Sequence, residues 1–447
     1  MASSRSSTPT NTSQNSPQNS LKRNVSGLLL YVFILGDVLG AGIYALIGKI
    51  AGEVGGVTWI PMTVALLLAL LTAASYAELV TKYPQAGGSA VFAERAFKSP
   101  LISYLVGFAM LAAGVVSAAA LALAFAGDYL GAFIQVPPAL GAVIFLCLVA
   151  ALNLRGIKES LRSNLVMTAI ELSGLLLVIV CVGILVSNDG GDISRATTFA
   201  DGVKPLPAVL GAAILSYYSF VGFETSANII EEVRNPSKVY PRALFGALVT
   251  AGVMYALVGT ASSIAVDPKT LGESSGPLSA VIAATGVGVP AWLFSLIALI
   301  AVANGCLLTM IMASRLVYGM AQQGTLPAGL GRVLVHRGTP WAAIVLTTAC
   351  AIILTLTGSV SVLAETVVIL LLLVFLSTNI AVLVLRKDQV EHSHFRTWVI
   401  VPILAIISCL VLISQQSAEV WIRGGLIMLV GLVIYALLRA GRARRTV

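Results

Sequence analysis

Apolar residues gather in twelve runs of membrane length, at 25–51, 57–80, 101–125, 138–154, 164–187, 206–230, 240–266, 290–321, 340–356, 360–385, 399–414 and 419–438, with polar segments between them. About 20 apolar residues suffice to cross the hydrocarbon core as a helix, so each run predicts one spanning helix. Two runs are interrupted. The first is broken by Gly36-Asp37-Val38-Leu39-Gly40-Ala41-Gly42-Ile43 and the sixth by Ser219-Phe220-Val221-Gly222-Phe223-Glu224. A continuous helix hides its backbone polar groups. A break frees N–H and C=O groups at bilayer depth, which is tolerated only where they line a cavity or meet a ligand.

Composition agrees: 58% apolar residues, 10% charged residues and a mean hydropathy of +0.96 exclude a soluble domain. An all-α polytopic membrane protein is predicted. With the N-terminus in the cytoplasm, 22 of the 27 Lys and Arg residues fall at the inner face and five outside. That asymmetry predicts an even span number, both termini cytoplasmic and residence in the cell membrane. It also explains the net charge of +8 through anionic inner-leaflet lipid, so no nucleic-acid partner is expected. Residues 1–24 are polar and predicted to be a disordered cytoplasmic tail. The five cysteines sit in apolar runs and are expected to pack, while His336, His392 and His394 fall in inner loops without a metal-binding set.

No energy-coupling cofactor or enzymatic motif is found. The stretch Gly42-Ile43-Tyr44-Ala45-Leu46-Ile47-Gly48-Lys49 has one residue too many between its glycines for a phosphate loop, and Ile50 stands where Ser or Thr would ligate magnesium. Uphill movement of a solute would therefore use an ion gradient or exchange. The breaks open two halves of five spans each, 25–187 and 188–386, followed by two further helices and a basic tail in 387–447. Because five is odd, the second half is inverted relative to the first, as alternating-access carriers require.

Several short motifs occur in order. They are Gly40-Ala41-Gly42-Ile43-Tyr44, Tyr76-Ala77-Glu78-Leu79 with Tyr83-Pro84-Gln85-Ala86-Gly87-Gly88-Ser89, Gly156-Ile157-Lys158-Glu159-Ser160, Phe220-Val221-Gly222-Phe223-Glu224, Glu231-Glu232-Val233-Arg234-Asn235-Pro236 with Tyr240-Pro241-Arg242, and Ser314-Arg315-Leu316-Val317-Tyr318-Gly319-Met320 with Gly324 and Pro327. On these motifs, covering the first eight spans, the chain resembles the amino acid–polyamine–organocation superfamily, and within it bacterial relatives of cationic amino acid transporters. The resemblance implies a secondary transporter of amino acids, by symport or exchange, with discontinuous helices 1 and 6.

It also implies roles for particular residues. The substrate carboxylate would meet backbone N–H groups near Gly40, Ala41, Gly42 and Ile43, where a helix start carries partial positive charge. The ammonium would meet carbonyls near Tyr218, Ser219, Val221 and Gly222, at a helix end. Packing of small residues is the rival reading of these glycines. Glu224 stands where relatives carry Asp, and helix capping competes with a functional role. Asp37 and Glu171 are carboxylates at bilayer depth, where a charge costs about 2.5–3.5 kcal/mol on insertion scales. In proton-coupled relatives the position of Glu171 is commonly lysine, beside span 1 carbonyls that correspond here to Gly36 and Leu39. The reversed charge leaves two options, a protonated Glu171 or a cation such as Na+ held by Glu171 and Asp37. The proton is favoured, since two nearby carboxylates can share one. Glu78, Glu224, Glu231, Glu232 and Arg315 are candidate gating residues at or toward the inner face, and Glu365 is placed near the outer end of span 10. An amine or polyamine carrier is the rival substrate reading, and a non-transporting receptor the rival from another class.

Overall fold

The computed structural model describes residues 25–85, 87–155, 161–334 and 337–443. The expected N-terminal tail, Ala86, the motif at 156–160, His336 and residues 444–447 lie outside the described residues. What is described is helical apart from isolated backbone bridges. Eight helices are long and apolar enough to cross a membrane, and a bent pair makes a ninth. Three shorter apolar helices, Pro138–Leu154, Trp341–Thr355 and Ile400–Ser414, complete the expected twelve.

Span 1 is the bent pair, Gly27–Leu39 followed by Ala41–Val54, with a 43° change of direction. Spans 2 to 5 are Trp59–Lys82, Pro100–Phe125, Pro138–Leu154 and Leu161–Ser187. Span 6 is Pro205–Tyr218, an irregular stretch, then Phe223–Glu232 wound as a 3-10 helix. Spans 7 to 12 are Pro236–Ala265, Ala291–Gln322, Trp341–Thr355, Val360–Leu385, Ile400–Ser414 and Ala418–Ala443. Local chemistry sets several starts. Pro100, Pro138, Pro205 and Pro236 each stand in the first turn of a helix, where the missing N–H costs nothing. The Ser26 hydroxyl accepts the Leu29 N–H at 3.3 Å and caps span 1.

Short helices that the hydropathy pattern does not show join the spans, among them Gly88–Phe97 before span 3, and Pro268–Glu273 and Pro277–Thr285 before span 8. Spans 1, 6 and 7 pack together, and span 3 packs against both span 8 and span 10. A cluster of Tyr76, Phe223 and Phe375, with Tyr76 edge-to-face on both phenyl rings and the two phenyl rings stacked, joins the 3-10 half of span 6 to spans 2 and 10, with ring centroids 5.5–5.9 Å apart. Span 12 turns most of its apolar surface outward. In a bilayer that surface meets lipid.

At the end rich in basic residues, Glu78 is tied to the connection after span 10. Its carboxylate accepts the Thr397 N–H at 2.9 Å and pairs with Arg386 at 3.5 Å. Lys82 donates to the Leu385 carbonyl at 2.7 Å, and His392 lies 3.1 Å from the Thr81 carbonyl. The end of span 2 and the connection between spans 10 and 11 are thereby held as one unit.

Candidate functional site

The two breaks lie against one another. A methyl group built on Gly42 would come within 2.7 Å of the Ser219 Cα, so only hydrogen lets span 1 approach span 6 this closely. Gly222 has a φ of 125°, open to glycine alone, and a methyl there would meet the Asp37 carbonyl oxygen at 2.9 Å. Each glycine of one break thus faces the backbone of the other. The helix Ala41–Val54 has no side-chain cap at its start. Its first backbone N–H groups lack intrahelical partners and carry the positive end of the helix dipole. The helix before it ends at Leu39, leaving the carbonyls of Gly36 to Leu39 as its last four.

These features border a cavity of about 940 Å³. Gly40, Gly42, Tyr218, Ser219, Val221 and Gly222 line it, while Ile43 is buried beside it. Its far wall comes from spans 3, 8 and 10 and includes Ala113, Gly114, Thr309, Met312 and Val367. Ser117 and Tyr218 join their hydroxyls at 2.9 Å, bridging span 3 to the end of the helical part of span 6. Toward the basic end the cavity reaches Glu94, Gln323 and Thr325. At the opposite end, spans are closed by backbone bonds from Gly56 to Thr198 at 2.9 Å and from Ala200 to Val54 at 3.1 Å.

The carboxylates divide. Asp37 lines the cavity and accepts a hydrogen bond from the Thr225 hydroxyl. Glu224 also lines it, and its Oε2 accepts the N–H of Gly222, the residue just before the 3-10 helix, at 3.0 Å. Glu232 and Arg315 line the cavity nearer its mouth. Glu231 lies at the end of the 3-10 helix, outside the lining, and Glu78 belongs to the tether described above.

Glu171 is fully buried. Its Oε1 accepts from the Asn304 side chain at 3.2 Å, and its Oε2 has no hydrogen-bond partner. Thr168 and Asn164, three and seven residues before it, sit on the same helix face. The Thr168 hydroxyl and the Asn164 carbonyl oxygen are likewise buried and unpartnered, and both lie against Gly36. The Ser219 hydroxyl is a fourth such group. Buried polar atoms without partners are uncommon, so this gathering along spans 1, 5 and 6 calls for a function.

Three residues here escaped the reading of the sequence. The Tyr255 hydroxyl, from span 7, shares its one proton between the carbonyls of Val38 and Ser219, bracing both breaks at once. Asn304 and Thr225 hold the two carboxylates. Each lies in or beside an apolar run and carries no motif; the available signal was that a buried Tyr or Asn needs a partner. We predict that Tyr255→Phe destabilises the protein by about 1–3 kcal/mol through its two abandoned carbonyls. Thermal unfolding of the detergent-solubilised protein measures this, and an unchanged Tm would remove the bracing role.

Residues 26–436 match the family described as amino acid permease. The chain is 26% identical over 401 residues to the branched-chain amino acid permease BcaP of Bacillus subtilis (strain 168), covering 85% of this chain and 84% of that one. It is 30% identical over 349 residues to the vacuolar cationic amino acid transporter 2 of Arabidopsis thaliana, covering 72% of this chain and 53% of that one. A third similarity, 29% over 195 residues, is to the low-affinity putrescine importer PlaP of Escherichia coli (strain K12), covering 43% and 42%. Because the family match begins at the cap of span 1, includes both broken helices and ends within span 12, the chain belongs to the amino acid permease family of the amino acid–polyamine–organocation superfamily, a family of transporters rather than enzymes.

Proposed function

We propose that this chain carries amino acids across the cell membrane by alternating access, with both termini in the cytoplasm and residues 25–187 and 188–386 as inverted halves. The observation that carries the reading is the contact between the two breaks, which brings an uncapped helix start and a set of helix-end carbonyls to one cavity. A zwitterion supplies the complementary pair. Its carboxylate meets the N–H groups from Ala41 to Ile43, and its ammonium meets the carbonyls of Ser219 and Val221. In this orientation the cavity opens inward.

The far wall supports a neutral, aliphatic side chain, since Ala113, Gly114, Thr309, Met312 and Val367 bear no charge. The similarity to a branched-chain amino acid permease points the same way. Glu171 serves as the coupling group, as a proton carrier beside the Gly36 and Leu39 carbonyls, with Asp37 near it.

An amine substrate is the second reading, favoured by the partial similarity to a putrescine importer and by Asp37, Glu94, Glu224 and Glu232 on the cavity wall. Competition separates the two. In proteoliposomes, an amino acid should outcompete its decarboxylated amine by about tenfold or more, from about 1.5–3 kcal/mol for a charged hydrogen bond. Leucine and valine should outcompete lysine and arginine. Equal competition by the amine would favour the amine carrier, and absence of any amino acid uptake would end the first reading.

A further inference from the structure

At the end opposite the open cavity lies a second, smaller pocket of about 320 Å³. Lys49 and Glu53 from span 1, Lys269 from the helix Pro268–Glu273, and Glu365 from span 10 give it two charges of each sign. Leu215 of span 6 and Ser361 complete the relevant wall. Its size falls at the low end of small-molecule cavities. Lys49 stands seven residues beyond Gly42, or about 10 Å of helix rise, so the pocket lies on the outer side of the breaks.

The charges are not consumed by one another. Lys49 and Glu53 have the four-residue spacing of a helix ion pair, yet Lys49 donates to the Gly272 carbonyl instead. Among the described residues no ion pair reaches Glu53 or Glu365. Close backbone packing borders the pocket, whose own lining includes Gly52 and Gly272. A methyl on Gly48 would meet the Leu271 carbonyl oxygen at 2.2 Å, and Gly52 lies against the Gly272 Cα. A concave site with unpaired charges of both signs, set directly outside a closed path, matches a small zwitterion.

We propose that this pocket is an outer entry site for the amino acid, holding its carboxylate between Lys49 and Lys269 and its ammonium between Glu53 and Glu365. The inference rests on amino acid transport as the function, and adds a second binding site to it. It requires two leucine molecules per chain at saturation, one in each site.

Equilibrium binding of radiolabelled leucine to the purified full-length protein tests it. Gly42→Val, which fills the contact between the breaks, should remove the central site and leave one weaker site. Adding Lys269→Ala or Glu365→Gln should weaken that residual binding at least tenfold. Lys269 is exposed on a short helix, so its removal disturbs no packing. Either single change in the unaltered protein should leave one site. One site in the parent together with none in Gly42→Val would overturn the entry site while leaving amino acid transport intact. Residual binding indifferent to both Lys269→Ala and Glu365→Gln would also overturn it. A parent that binds no leucine and transports no amino acid would overturn the transport reading as well.

Discussion

Gly42→Val is expected to abolish transport and to weaken leucine binding in the central cavity by on the order of 100-fold. A β-carbon at this position meets the Ser219 Cα at 2.7 Å, and backbone cannot rotate aside as a side chain does. Valine adds two further methyl groups. Overpacking of this kind costs about 1–3 kcal/mol, and here it acts on the relative placement of the two breaks. The N–H groups and carbonyls that receive a zwitterion would be spread apart. Gly183→Ala in span 5, outside the cavity lining, is the control, because its new methyl would meet nothing within 4 Å. It should retain binding. Wild-type leucine affinity and uptake in Gly42→Val would show that contact between the breaks is packing and nothing more.

Glu171→Gln is expected to separate exchange from accumulation. The glutamine keeps the shape and can still bond to Asn304, but it cannot take up or release a proton. Counterflow between preloaded pools should continue at a rate near that of the parent, while accumulation driven by an imposed pH gradient should be lost. Glu171→Lys would restore the side chain common among proton-coupled relatives, and Asp37 is the acid available to pair with it. If Glu171→Gln accumulates leucine under a proton gradient as the parent does, Glu171 is a structural residue. Uptake that follows sodium at constant pH would instead make Glu171, Asp37 and the span 1 carbonyls a cation site.

The spans were legible because the bilayer imposes one length and one polarity on every crossing helix. Spans 4 and 10 begin and end at the residues where their apolar runs do. The breaks were legible for a related reason: Gly40 and Gly222, with acids beside them, have little place inside a membrane helix. Their form was not. The first break is confined to Gly40, with Gly36 and Asp37 still helical, because the angle changes at one residue. The second half of span 6 is a 3-10 helix that carries Phe223 against Tyr76 and Phe375, contacts that no local pattern announces. Contacts between distant spans were the hardest to foresee. Nothing near Tyr255 in sequence points to Val38, 217 residues away. Nor does hydropathy show that Glu78 is held by Arg386 and Thr397, more than 300 residues away.

The stitching of span 1 to span 6 limits how the molecule can move. Before span 1, the Val25 N–H donates to the Glu232 carbonyl at 3.0 Å and the Arg234 N–H returns a bond to Val25 at 3.1 Å, one level below the paired breaks. Tyr255 adds span 7 to the same assembly. Bonds at several heights favour movement of these spans as one body. Under the alternating access proposed above, the site would reach the other side of the membrane by spans 1, 6 and 7 leaning together against the wall of spans 3 and 8. The cavity between those two groups of spans would be the fulcrum of that motion, and the cargo would ride where displacement is least.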